Sequence, residues 1–204
     1  EVLQAAHQHH EWRLLLPALA RQDQQAGAVV LVGAPHVPYG PALAAQGFDP
    51  QRLLWITASA PMERLWAAEQ ALRCAGVCAV LVWLPQAQAD NLRRLQTAAA
   101  GHAQLLFVMR PAQARVQSSP AALRLGVSAR VTDDAGNGQA SNEDAGSACQ
   151  LVVQLLKRRG PPLEQPLVLM AGPARLSALL AVSRNTRPSL QEAGDALDRM
   201  AMAA

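Results

Sequence analysis

Lysine is all but absent: Lys157 is the only one, so positive charge is carried almost wholly by arginine. Arginine's planar fork suits phosphate and carboxylate recognition, although a chain this rich in alanine, leucine and arginine also reflects composition alone. The net charge of +3 and a pI near 9.2 permit nucleic-acid contact without requiring it. Long apolar runs are missing too. None approaches the roughly 20 residues that a membrane-spanning helix needs, so no membrane association and a soluble protein are expected. Cysteine is scarce and odd in number (Cys74, Cys78, Cys149), which argues against a disulfide framework. The Cys74 to Cys78 spacing is wider than the usual zinc pair, so reduced, packed thiols in a cytoplasmic protein are the expectation. The chain opens on Glu1 without the basic and apolar stretches of a secretory leader, and that start is compatible with numbering that begins inside a longer polypeptide.

What is present is an alternation of strand and helix. Trp12, Leu15, Leu16 and Leu19 fall at helical spacing and predict an amphipathic helix over 12–25. The continuous apolar run Val29 to Gly33 predicts a strand buried on both faces. A short helix over 39–46 and a strand over 52–56 follow. Pro61 just inside the start and Gly76 just past the end frame a helix over 62–75, with Ser59 as its cap. A strand over 77–84, a helix over 87–100 and a strand over 104–109 continue the rhythm. Leu123 to Val131 alternates apolar and polar residues, and 150–155 does so less cleanly, which predicts an antiparallel pair. The polar stretch 132–147 between them is expected to be a mobile loop, and 167–170 a short strand completing the sheet edge. The expected fold is α/β: a mainly parallel sheet with helices on both faces and an antiparallel C-terminal hairpin. One domain over 1–171 is expected, with 172–204 as a tail that is either disordered or a short partner-binding helix.

Four blocks carry a resemblance: Glu11 to Leu19, Pro35 to Leu43, Leu65 to Arg73, and Leu156 to Pro162. With the strand runs from Val29 to Pro111 they resemble the ImuA family of SOS-induced accessory proteins for translesion DNA synthesis, and also the related SulA group of cell-division inhibitors. Both groups are similar to the RecA core, so the resemblance implies a RecA-like three-layer fold. It also implies partners: an ImuB-type Y-family polymerase homologue, RecA, an error-prone C-family DNA polymerase, DNA, and a second copy of the chain. The leading expectation is a non-catalytic scaffold in damage-induced mutagenesis, or a cap on a RecA-type filament. The alternative is a SulA-like inhibitor that sequesters the tubulin-like division protein FtsZ.

The comparison with an ATP-hydrolysing core is one of absences. A phosphate-gripping loop needs glycines, a lysine and a Ser or Thr, and the stretch from Gln4 to Trp12 has none of these. Pro35-His36 stands where RecA-like proteins carry a catalytic glutamate, and Trp83-Leu84-Pro85 where a magnesium-directing aspartate would end a strand. Arg110 falls near the position of a polar sensor. These losses together imply no hydrolysis, no cofactor and no metal. His7, His9 and His10 cluster, but without fixed spacing they read as a solvated loop. Asp90, Glu63 and Glu69 read as helix-surface charges. Trp12, Trp55, Trp66 and Trp83 read mostly as core residues.

The candidate contact residues are few. His36 lies in a loop at the carboxyl end of a strand, where open α/β sheets place ligands, and Tyr39 follows it. Lys157, Arg158 and Arg159 form the densest positive charge, able to grip phosphates or an acidic partner surface. Arg93 and Arg94 are a weaker pair on a helix face.

Overall fold

The apolar runs and helical spacings give a sheet covered on both faces. The computed structural model describes residues 1–21, 27–132 and 148–170. All of these fall in one unit, Glu1–Ala171; of the loop expected over 132–147, Thr132 ends a strand and 133–147 lie outside the described residues, as does the 172–204 tail. In chain order the elements are β1 (Val2–Gln4), α1 (Glu11–Ala20), β2 (Ala28–Val32), α2 (Gly40–Ala45), β3 (Leu53–Ile56), α3 (Pro61–Arg73), β4 (Val77–Trp83), α4 (Ala89–Gly101), β5 (Leu105–Pro111), β6 (Arg124–Thr132), β7 (Ala148–Lys157) and β8 (Leu167–Met170). They form one eight-stranded sheet in the order β3-β2-β4-β5-β1-β6-β7-β8. Pairing is parallel from β3 through β6, and β7 and β8 join antiparallel.

The period of two along the central strands sorts residues between two cores. Val30, Val32, Val80 and Val82 pack beneath α3 and α4 with Leu65, Leu72 and Leu95. Val29, Leu31, Ala79 and Leu81 point the other way, onto Leu15, Leu16, Leu19 and Leu43 of α1 and α2. This is why β2 and β4 are apolar at nearly every position: a parallel strand between two helix layers has no solvent face. Leu72 and Leu95 are fully buried, and truncating either to Ala costs about 2–5 kcal/mol.

Local chemistry sets the element ends, with some departures from expectation. α1 runs to Ala20 with Arg21 after it, and its buried stripe ends at Leu19; residues 22–25 of the expected helix lie outside the described residues. Ser59 is not the cap of α3. The helix starts from Ala60, whose N–H donates to the Glu63 carboxylate at 3.1 Å, with Pro61 in the first turn. β7 runs on to Lys157, so the basic cluster begins inside a strand. Gly27, at φ +96°, lets β2 leave its loop beside β4. A Cβ there would sit 2.5 Å from the Gly76 carbonyl oxygen, a clash with backbone.

Two tryptophans expected in the core are on the surface: Trp55 is 43% exposed on the edge strand β3 and Trp66 62% exposed on α3. Trp55 flanks an unpaired sheet edge, and Trp66 lies outside the Leu65-Ala68-Leu72 stripe that faces the sheet. Among the described residues no helix is long and apolar enough to cross a membrane.

Candidate functional site

The place of a phosphate-binding loop, between β1 and α1, is built shut. The Gln4 amide donates to the Glu11 carboxylate at 2.9 Å, and the His10 N–H donates to Gln4 Oε1 at 3.1 Å. All three residues are buried. A helix N-terminus attracts anions through its free N–H groups and dipole, but here Glu11 in the first turn of α1 supplies the negative charge itself. A phosphate approaching this end would meet a carboxylate. His10 is not a solvated loop residue, since it is only 9% exposed; that burial, with the nearby Arg13 charge, holds its imidazole pKa below the usual value against the pull of Glu11. His9 meets His36 edge to face, with ring centroids 4.7 Å apart.

Above the carboxyl ends of β1 to β5 lies a cavity of about 520 Å³. Its floor carries Gly33, Trp83 and Met109, and Arg64 of α3 reaches into it. The Arg64 guanidinium donates from Nε to the Ala58 carbonyl at 2.8 Å and from Nη1 to the Trp83 carbonyl at 3.2 Å, stitching the end of β3 to the end of β4. Gly33 makes room for it: at φ +65°, a Cβ there would lie 2.6 Å from Arg64 Nε. Sequence reasoning missed Arg64. A signal was present, since a cation in the first turns of a helix opposes the helix dipole and needs another reason to be there.

The anticipated contact residues do not form one site. His36 and Tyr39 are exposed in the loop leading to α2, together with Val37, and Tyr39 is 72% exposed. Lys157, Arg158 and Arg159 are exposed elsewhere, at the end of β7. There the Lys157 ammonium donates to the Ser119 carbonyl at 2.7 Å and Arg158 Nε to the Pro161 carbonyl. Arg93 is exposed on α4. Arg94 instead forms an ion pair with Glu69 of α3, which Arg73 also holds, at 2.6 Å. Glu69 is therefore not a helix-surface charge; its side chain is only 4% exposed. Arg94's hydrogen bond and charge, with those of Arg73, lower the Glu69 pKa against the opposing effect of desolvation.

A second buried ion cluster was also outside the sequence reading. The Glu1 carboxylate receives Arg110 Nη1 at 3.1 Å and Arg124 Nε at 2.6 Å, and all three side chains are almost fully enclosed. Burial raises the Glu1 pKa, but hydrogen bonds from Ser119 and Arg110 and the charge of Arg124 outweigh it, so the net shift is downward. Arg110 thus joins β5 to β1 and is held by structural partners rather than poised as a sensor.

Fold and cleft together define a mixed α/β protein whose parallel sheet keeps a cavity at its carboxyl edge and has its phosphate-loop position closed. No family model matches the chain. Over 107 residues it is 31% identical to the cell division inhibitor SulA of Edwardsiella piscicida; the matched stretch covers 52% of this chain and 64% of that one. The crystal structure of SulA from Pseudomonas aeruginosa is also similar, at 23% identity and a TM-score of 0.45, over 54% of this chain and 96% of that one. The sequence similarity runs to a cell-division inhibitor, not to a component of translesion synthesis, and it overturns the expectation of a mutasome accessory protein. The ImuB-type, RecA, C-family polymerase and DNA partners were implied by that reading, and the similarity to SulA bears on none of them.

Proposed function

We propose that this chain is a non-catalytic, SulA-like inhibitor of cell division, acting in the damage-induced setting that the resemblance implies by sequestering FtsZ. The observation that carries this reading is the 31% identity over 107 residues to a cell division inhibitor. The RecA-like frame is the finer reading of the fold. It is supported by a mainly parallel sheet with helices on both faces and an antiparallel C-terminal hairpin. Lack of hydrolysis is supported by the Gln4-Glu11 closure and by the absence of carboxylates after β2 and β4.

A binding protein needs an exposed apolar anchor, and the loop before α2 offers Val37 and Tyr39, 64% and 72% exposed. The basic stretch Lys157 to Arg159 adds rim charge that steers association and weakens with salt. Light scattering of FtsZ assembling with GTP tests the proposal. A sequestering inhibitor raises the critical concentration in proportion to the amount added, and Tyr39→Ala weakens that effect by roughly 1–2 kcal/mol in apparent affinity. Assembly that proceeds unchanged with this protein in molar excess overturns the proposal.

A further inference from the structure

The cavity at the carboxyl edge of the sheet is electrostatically lopsided. Its β1 side is closed to anions by Glu11 behind Gln4. Its β3–β4 side presents the Arg64 guanidinium, which donates to two neutral carbonyls and has no carboxylate counter-charge among the described residues. No carboxylate lines the cavity among the described residues. Trp83, another lining residue, is 9% exposed, and its indole Nε1–H has no acceptor among the described residues. Thr57 and Ser59 add hydroxyls on the same side; the remaining wall is alanine and proline with Met109, interrupted by Gln4, Gln8, His9 and the Glu1-paired Arg110. About 520 Å³ lies within the range of small-molecule pockets.

We infer that this cavity binds a carboxylate carried on a small apolar body. The Arg64 fork takes the charge, Trp83 forms part of the wall beside it, and Gly33 keeps the approach open. A carboxylate matches the planar guanidinium in two parallel hydrogen bonds, which a neutral amide of the same shape does not. Pairing in a half-enclosed site is stronger than in water, because fewer waters compete for the same donors. The same chemistry has two sources: a free organic acid, or the C-terminal carboxylate of a peptide.

The probe is benzoate, with benzamide as its neutral isostere, titrated into the ¹⁵N-labelled full chain while the tryptophan indole resonances are followed. Trp83→Phe assigns the Trp83 signal. For a probe this small the expected Kd is on the order of 1 mM, with a saturable shift of the Trp83 indole proton. Benzamide should bind at least about tenfold more weakly, and Arg64→Gln should weaken benzoate by about 10- to 100-fold. A tripeptide with a free C-terminus that binds more tightly than benzoate, and loses binding when amidated, assigns the site to peptides. A tripeptide that binds no better than benzoate assigns it to free acids. Equal binding of benzoate and benzamide, or no saturable shift with either acid, overturns the inference. That comparison uses the unmodified chain, so it stands even if Arg64→Gln fails to fold.

Discussion

If Arg94 is committed to Glu69, removing it should cost stability even with no partner in solution. The Glu69 side chain is 4% exposed beneath Arg73 and Arg94, which are themselves 58% and 54% exposed, so the carboxylate depends on these two arginines for both its cover and its counter-charge. Arg94→Ala leaves Glu69 with Arg73 alone. Losing one charge-assisted hydrogen bond to a buried acid costs about 1.5–3 kcal/mol, and the remaining arginine offsets part of it, so about 1–2 kcal/mol is expected. For a chain of this size that is a fall of roughly 3–6 °C in Tm. Glu69→Gln should cost a similar amount, and the double variant should show a coupling energy of about 1 kcal/mol.

The pH dependence follows from the lowered pKa of Glu69. With the folded value below the unfolded one near 4.3, the contribution is complete above about pH 5 and fades as pH falls through the folded value. Glu69→Gln should therefore differ from the parent at neutral pH and converge on it in acid. Denaturant melts of the four proteins of the cycle at neutral and acid pH provide the measurement. A coupling energy below about 0.3 kcal/mol, or an Arg94→Ala variant as stable as the parent, would refute the structural role and return Arg94 to the list of contact residues.

Three further outcomes are expected. Glu1→Gln strips the charge from a carboxylate that pairs two enclosed arginines, and should destabilise by about 3–5 kcal/mol in urea unfolding, far more than a typical surface change. Gly27→Ala should destabilise by more than about 1 kcal/mol, because positive φ and backbone contact with Gly76 act together, whereas Gly101→Ala, with open space around it, should not; thermal melts separate the two. Replacing Lys157, Arg158 and Arg159 with Ala should leave Tm within about 2 °C, since these residues are exposed, yet reduce the salt sensitivity of partner binding measured by titration at two ionic strengths.

Much of this architecture is legible in local sequence. Strands such as Val29 to Val32 and Val77 to Val82 announce themselves because burial on both faces demands unbroken apolar residues, and α3 because Pro61, its Leu65-Ala68-Leu72 stripe and Gly76 mark its start, inner face and end. The absence of glycine, lysine, serine and threonine between Gln4 and Trp12 is likewise a statement about residue types and needs no coordinates. Tertiary structure alone decided the insertion of β1 between β5 and β6, which brings Glu1 against Arg110 and Arg124 across more than a hundred residues of chain. It also decided that Glu69 is a buried anchor and that Arg64 spans the cleft. Helical periodicity tells which residues share a face, but not which neighbour covers that face. A charged side chain reads as solvated until the fold delivers its counter-charge, and that partner comes from whichever element the sheet order places beside it.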